Sequence, residues 1–283
     1  LAVPASNCSQ MLKTRLATAI VLLALFLSAL FYLPTVCWAV LMLALVAVGG
    51  WEWAKLVSFP KTGRGIFVVA LLLMGGVMLV AMMKIDGAAR LTWTQIYSPA
   101  WLLAASVFWI VCVPLWLARG WRPLAPWLLA LVGSVVLIPT WLALVGLRTE
   151  SPLLLLGTIG CVWVADSAAY FAGRRFGRSR LAPIISPGKT WEGALGALLG
   201  VTLYGVLLSS AAQLSYWIIP GLWLVTLFSI EGDLFESWMK RQSGVKDSGR
   251  LFPGHGGVLD RIDAWTSALP VAAFVLLFLK GLH

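Results

Sequence analysis

The sequence predicts an all-α, polytopic integral membrane protein with about nine transmembrane helices, N-terminus inside and C-terminus outside. Three observations carry that expectation. Of 283 residues, 60% are apolar and 11% charged, where soluble domains carry roughly 45–50% and 25%. The mean hydropathy is +0.92, which excludes a water-exposed globular protein. The apolar residues also run on continuously instead of alternating in segments of ~10, so a β-barrel is excluded too.

Residues 1–10 are polar and aperiodic and read as a remnant upstream of Met11, leaving one domain over 11–283. The first apolar segment, 14–33, follows Lys13 and ends at Pro34. It is too long for a signal peptide and lacks a small-residue cleavage site. The second, 35–54, ends before Pro60, Gly63 and Gly65, and the third covers 66–83. Ser98-Pro99 opens the fourth, 100–117, and Arg122-Pro123 the fifth, 124–147. The sixth spans 151–172. Pro183 and Pro187-Gly188 precede the seventh, 191–212, which is followed by 214–239. The Gly-rich stretch 244–257 separates that from the last segment, 264–282. The third and fourth are the shortest.

Loop charge checks the count. With the N-terminus inside, Lys84, Arg90, Arg148 and Lys280 fall outside and the other 17 of the 21 basic residues fall inside, as the positive-inside rule requires. The net charge of +10 is therefore largely topological and gives no reason to expect nucleic acid. Cys8, Cys37, Cys112 and Cys161 form no CxxC, and the two histidines are His255 and His283. Zinc and disulfide frameworks are not indicated, whereas hard-metal chemistry through Asp and Glu remains open.

The acids are unevenly placed. Glu52, Asp86, Glu150, Asp166 and Glu192 are single and scattered; Glu231, Asp233, Glu236, Asp247, Asp260 and Asp263 fall within 33 residues. A carboxylate at the bilayer centre costs roughly 2.5–3.5 kcal/mol. Three on one apolar helix therefore belong near its inner end, in a wet cavity, or on a cation. Asp233, Ser237 and Lys240 share one helix face, and Asp260 and Asp263 share another. Between them, four glycines from Gly249 to Gly257, Gly256 included, let backbone N–H groups approach a phosphate, and Lys240, Arg241, Lys246 and Arg250 are phosphate donors. Two acid-bearing helices around a basic Gly-rich loop suit Mg²⁺ on a polyphosphate.

A second polar patch runs from Asp166 to Gly193. Asp166, Tyr170 and Arg174 share a helix face, and Ser186-Pro-Gly-Lys-Thr190 reads as a turn that places phosphate donors at a helix N-terminus. The basic residues there also fit positive-inside topology and anionic headgroups. Gly188-Lys189-Thr190 resembles the end of a Walker A loop, but the required earlier glycine falls on Pro183.

The run Ser237-x-Met239-Lys-Arg241-x₄-Lys246-Asp-x-Gly249-x₂-Phe252-Pro-x-His255-Gly-Gly-Val258-x-Asp260-Arg-Ile-Asp263 resembles the signature of the phosphatidate cytidylyltransferases (CDP-diacylglycerol synthases). Asp166-Ser-x-Ala-Tyr-Phe-x-Gly-Arg174 and Ser186-Pro-Gly-Lys-Thr-Trp-Glu-Gly193 are similar to that family's second block. The likeness spans Met11 to the C-terminus and is strongest over 160–265, the expected catalytic region.

The resemblance implies CTP + phosphatidate → CDP-diacylglycerol + pyrophosphate, with Mg²⁺ (Mn²⁺ as substitute). It also implies a homodimer in a bacterial cytoplasmic membrane, with its site facing the cytoplasm. The metal ligands expected are Asp233 and Asp260, with Asp263. The expected catalytic set is Asp233, Asp260, Lys240, Lys246 and Asp247. Substrate contacts are expected from Asp166, Tyr170, Arg174, Ser186, Lys189 and Thr190, and from Ser237, Arg241, Gly256, Gly257 and Arg261. CTP is assigned mainly to the 240–261 loop and the phosphatidate headgroup to 174–190, with Lys189 bridging. The phosphatidate oxygen is already anionic, so His255 is not expected to act as an essential base.

Alternatives are another membrane-embedded nucleotide- or polyprenyl-phosphate-lipid transferase, and an anionic-substrate transporter. A CDP-alcohol phosphotransferase is excluded because Asp86-Gly-Ala-Ala-Arg90 falls one residue short of its motif and no paired aspartates follow. A transporter disposes its acids on broken mid-membrane helices with internal symmetry, and no repeat is visible here.

Overall fold

Proline and glycine set the helix ends. A computed structural model describes residues 5–85, 99–121, 125–249, 251 and 256–281, and among them it forms nine helices. These are α1 (Ala5–Tyr32), α2 (Thr35–Leu56), α3 (Lys61–Ile85), α4 (Pro99–Arg119), α5 (Pro126–Glu150), α6 (Pro152–Phe176), α7 (Trp191–Ala212), α8 (Ile218–Gln242) and α9 (Leu259–Gly281). Pro34 precedes α2, and Pro126 and Pro152 open α5 and α6, where a missing N–H costs nothing. Eight helices are long and apolar enough to cross a membrane, and α1 adds an apolar stretch from Thr18 to Tyr32. The chain is a multi-pass membrane protein, and each expected span coincides with one helix.

Two local features depart from the expected pattern. Within α4, Phe108–Cys112 forms a π-turn in which the Val113 N–H bonds back to Phe108. Pro114 follows directly and has no N–H for the α-helical ladder. The Ser186–Thr190 segment, expected as a turn, is a strand. β2 (Ser186–Thr190) pairs antiparallel with β1 (Arg180–Ala182), and Pro183 sits in the connection, where it withdraws no donor from the ladder. Asp86 and Arg90 lie outside the described residues.

Indole N–H groups cross-link the centre. Trp38 on α2 donates to Leu144 O (3.1 Å), Trp141 on α5 donates to Ala39 O (2.9 Å), and Trp53 donates to Leu129 O (3.0 Å). These contacts run α2 and α5 antiparallel and satisfy buried polar groups that lipid could not. Phe235 on α8 lies 6.3 Å from Trp53, 5.7 Å from Phe108, and 5.6 Å from both Trp109 and Trp116. That aromatic cluster fixes the depth and rotation of α8 against α2 and α4. Small residues bring other helices close: a Cβ on Gly232 would meet Asp263 O and Ser267 Oγ across α9, and one on Gly200 would meet Ala168 across α6.

The connections gather at two ends. At one end, Ser243 Oγ donates to Leu56 O, Trp238 Nε1 to Trp121 O (3.2 Å) and Arg241 Nε to Ile185 O (3.4 Å). The segments after α2, α4, α6 and α8 thus meet on one face. At the other end, Arg148 donates from Nε to Leu30 O (2.9 Å) and from Nη2 to Leu33 O, with its guanidinium 5.3 Å from the Trp38 ring.

Candidate active site

The end where those four connections meet carries the acids. Phe235 anchors α8, so Asp233, Glu236 and Lys240 turn toward α9 and the β-hairpin. Asp233 Oδ2 pairs with Lys189 Nζ at 2.7 Å, and its Oδ1 accepts from Ser237 Oγ at 3.2 Å. Lys189 also donates to Ile230 O at 3.2 Å. The predicted Asp233–Ser237–Lys240 face exists, and Lys189 joins it from β2.

Two turns along α8 from Asp233, Lys240 Nζ lies 2.9 Å from Asp260 Oδ1 and 3.3 Å from Glu236 Oε1. The second approach is an ion pair without hydrogen-bond alignment, since both Glu236 oxygens are buried and accept no hydrogen bond among the described residues. Asp260 also accepts from Ser248 N (2.9 Å to Oδ2) and Gly257 N (2.8 Å). Asp263 Oδ1 accepts from Ala264 N at 2.8 Å and interacts electrostatically with Asp233 and Lys240. Asp166 on α6 interacts likewise with Asp233 and Lys189. The structure therefore brings Asp166, Lys189, Asp233, Ser237, Glu236, Lys240, Asp260 and Asp263 together from α6, β2, α8 and α9.

Other expected residues stand apart. Lys246, Asp247, Arg241 and Arg261 are exposed. Asp247 lines a recess with Lys55, Leu56, Ser58, Ser243, Val245 and Ser248 on the α2–α3 side of the loop. Gly256 has φ +81° and lies where a Cβ would strike Asp260, so this position requires glycine. The Gly257 N–H is directed at Asp260, which leaves it engaged by the protein itself. Arg250 and His255 lie outside the described residues.

The second patch adjoins the first. Arg174 Nη1 donates to the Tyr170 hydroxyl at 3.1 Å, in keeping with their shared face on α6. Thr190 caps α7 by accepting from Gly193 N at 3.1 Å. Glu192 in the first turn of α7 accepts from Ser179 N at 3.1 Å, so α7's opening is tied to the hairpin. Ser186 begins β2, and Arg174, Arg175, Arg178 and Arg180 are exposed around it.

Comparison with known proteins decides the family. Residues 13–279 match the cytidylyltransferase family. The chain belongs to that family. It is 39% identical over 284 residues to the phosphatidate cytidylyltransferase of Pseudomonas aeruginosa, covering 94% of this chain and 97% of that protein. It is 36% identical over 293 residues to the Haemophilus influenzae protein of the same name, covering 95% and 99%. A third, from Brucella suis, is 38% identical over 279 residues, covering 95% and 93%.

In this cytidylyltransferase one buried acid escaped the sequence reading. Glu52, isolated in sequence from the other acids, is 5% exposed. It accepts from Ser248 Oγ (3.2 Å), Val258 N (3.1 Å) and Leu259 N (2.8 Å). The available signal was its place between Trp51 and Trp53 in an apolar span, since an intramembrane acid is functional by default.

The donor set fits a hard divalent cation. Asp233, Glu236, Asp260 and Asp263 offer four carboxylates against two ammoniums, and Glu236 has only the 3.3 Å approach of Lys240 Nζ to its Oε1 as a cationic neighbour among the described residues. Among the described residues no three acids are arranged as a ready-made metal cage. Magnesium commonly takes one or two protein carboxylates and completes its shell with phosphate oxygens and water, so a cage is not required.

Proposed function

We propose that this protein transfers the cytidylyl group of CTP to phosphatidate, giving CDP-diacylglycerol and pyrophosphate. The observation that carries the reading is the pair of lysine–carboxylate contacts, Lys189–Asp233 and Lys240–Asp260. They lie at the end of the bundle where four helix connections converge. A lipid phosphate held by the bilayer and a nucleotide arriving from water can meet there. The similarity to phosphatidate cytidylyltransferases over nearly the whole chain supports the same substrates.

A phosphatidate oxygen attacks the α-phosphorus of CTP in line. The new P–O bond forms as the bond to the β-phosphate bridging oxygen breaks, and pyrophosphate leaves with that electron pair. The nucleophile is already anionic, so no strong base is needed. Lys189 and Lys240 are placed to offset charge on the phosphates as it shifts toward the leaving group. Mg²⁺, or Mn²⁺ in its place, supplies further charge neutralisation on the triphosphate when bound. Asp233 and Asp260, with Asp263, are the residues assigned to hold it. We take the site to face the cytoplasm of a bacterial inner membrane and the protein to act as a homodimer, as the family resemblance implies.

Purified protein tests the reading. Pyrophosphate release should require CTP, phosphatidate and Mg²⁺ together. Equal release without phosphatidate would identify a different reaction.

A further inference from the structure

Glu52 lies 196, 206 and 207 residues in sequence from Ser248, Val258 and Leu259, the groups that bind it. A buried carboxylate in a membrane helix is costly unless its charge is met. No lysine or arginine pairs with it among the described residues. Its partners instead include two N–H groups where α9 begins. Such first-turn donors have no carbonyl of their own helix to bond, and they stand at the positive end of the helix dipole. Glu52 therefore caps α9 from α2.

The cap is linked directly to the candidate active site. Ser248 gives its hydroxyl to Glu52 and its N–H to Asp260, so one residue joins the two carboxylates. Gly249 and Gly257 complete the seat. A Cβ on either would run into the Glu52 carboxylate, and one on Gly249 would also stand 3.1 Å from the Gly257 Cα. Gly249 and Gly257 thus close on each other over Glu52.

We infer that Glu52 is a positioning residue for cytidylyl transfer, acting through Ser248 and the start of α9 to hold Asp260 against Lys240. This inference rests on the function proposed above. Displacing a group that faces the reacting phosphates by about 1 Å can cost ~100-fold in rate, so the expected effect falls on kcat.

The test uses the full chain in detergent, with kinetics expressed per folded molecule. Glu52→Gln keeps the shape, but its amide nitrogen cannot accept a hydrogen bond. It should lower kcat roughly tenfold or more while leaving KM for phosphatidate within about twofold. Ser248→Ala should give a milder loss. The double variant should be no worse than Glu52→Gln alone, because the link through Ser248 is already broken. A purely structural role would instead lower the thermal midpoint, leave kcat per folded molecule unchanged and make the variants additive; that pattern overturns the inference. If Glu52→Gln yields no folded protein, Gly257→Ala and Ser248→Ala decide, since both retain Glu52 and disturb its seat. Loss of kcat in these two supports positioning, and wild-type kcat in both overturns it. A wild-type protein inactive with CTP and phosphatidate would overturn the proposed function. Active wild type with equally active Glu52→Gln would overturn this inference alone.

Discussion

Lys189, expected from the sequence to bridge the two basic regions, contacts an acid of the other region. It leaves β2 to pair with Asp233 at 2.7 Å, while Arg241 on α8 reaches back to Ile185 O. The two regions are therefore in contact, and a division of CTP to one loop and phosphatidate to the other is to be tested at their outer edges. Arg174, exposed and bonded to Tyr170, lies at such an edge. Arg174→Ala should raise KM for phosphatidate several-fold with little change in kcat, the pattern of lost uniform binding. Lys189→Ala should instead lower kcat by roughly 100-fold, the scale of losing one donor to developing charge, and should also weaken phosphatidate more than CTP. Steady-state kinetics with each substrate varied in turn distinguish the two. Equal effects of both variants on KM alone would remove Lys189 from the reacting centre.

Individual elements show what holds that centre at one end. Arg148, expected among the few outward basic residues, is 7% exposed and closes the opposite end by donating to the carbonyls of Leu30 and Leu33. Arg148→Met would leave those acceptors unpaired, at a cost of about 1–3 kcal/mol for each buried group. The thermal midpoint in detergent should fall while both KM values stay unchanged. A shift in KM would mean that the far end communicates with the site. Helix positions were legible in the sequence because Pro34 and Pro99 mark boundaries that local sterics enforce. The Asp233–Ser237–Lys240 face was legible for the same reason, as helical spacing fixes it. Neither the β-hairpin nor the Glu52 cap was legible. The hairpin depends on backbone pairing across Pro183 that side-chain periodicity does not record. The cap depends on a tertiary contact spanning 196 residues, and no local pattern encodes that distance.

For the whole molecule, the nine helices among the described residues, with the segments after α2, α4, α6 and α8 gathered at one end, make the asymmetry of basic residues a statement about orientation. The end holding the acids is the end to which 17 of 21 basic residues were assigned. A reporter active only in the cytoplasm and fused after His283 should therefore be silent, whereas a signal would mean that one helix does not cross. On the function proposed above, that orientation would put the candidate active site on the side where CTP is available, and the central claim then concerns a single bond. CTP labelled with ³²P in the α-phosphate and, separately, in the γ-phosphate tests that claim most directly, using purified protein, phosphatidate and Mg²⁺. The account predicts that α-label enters the lipid phase as CDP-diacylglycerol while γ-label remains in water as pyrophosphate. Transfer of γ-label to lipid, or α-label that never leaves the aqueous phase, would contradict it.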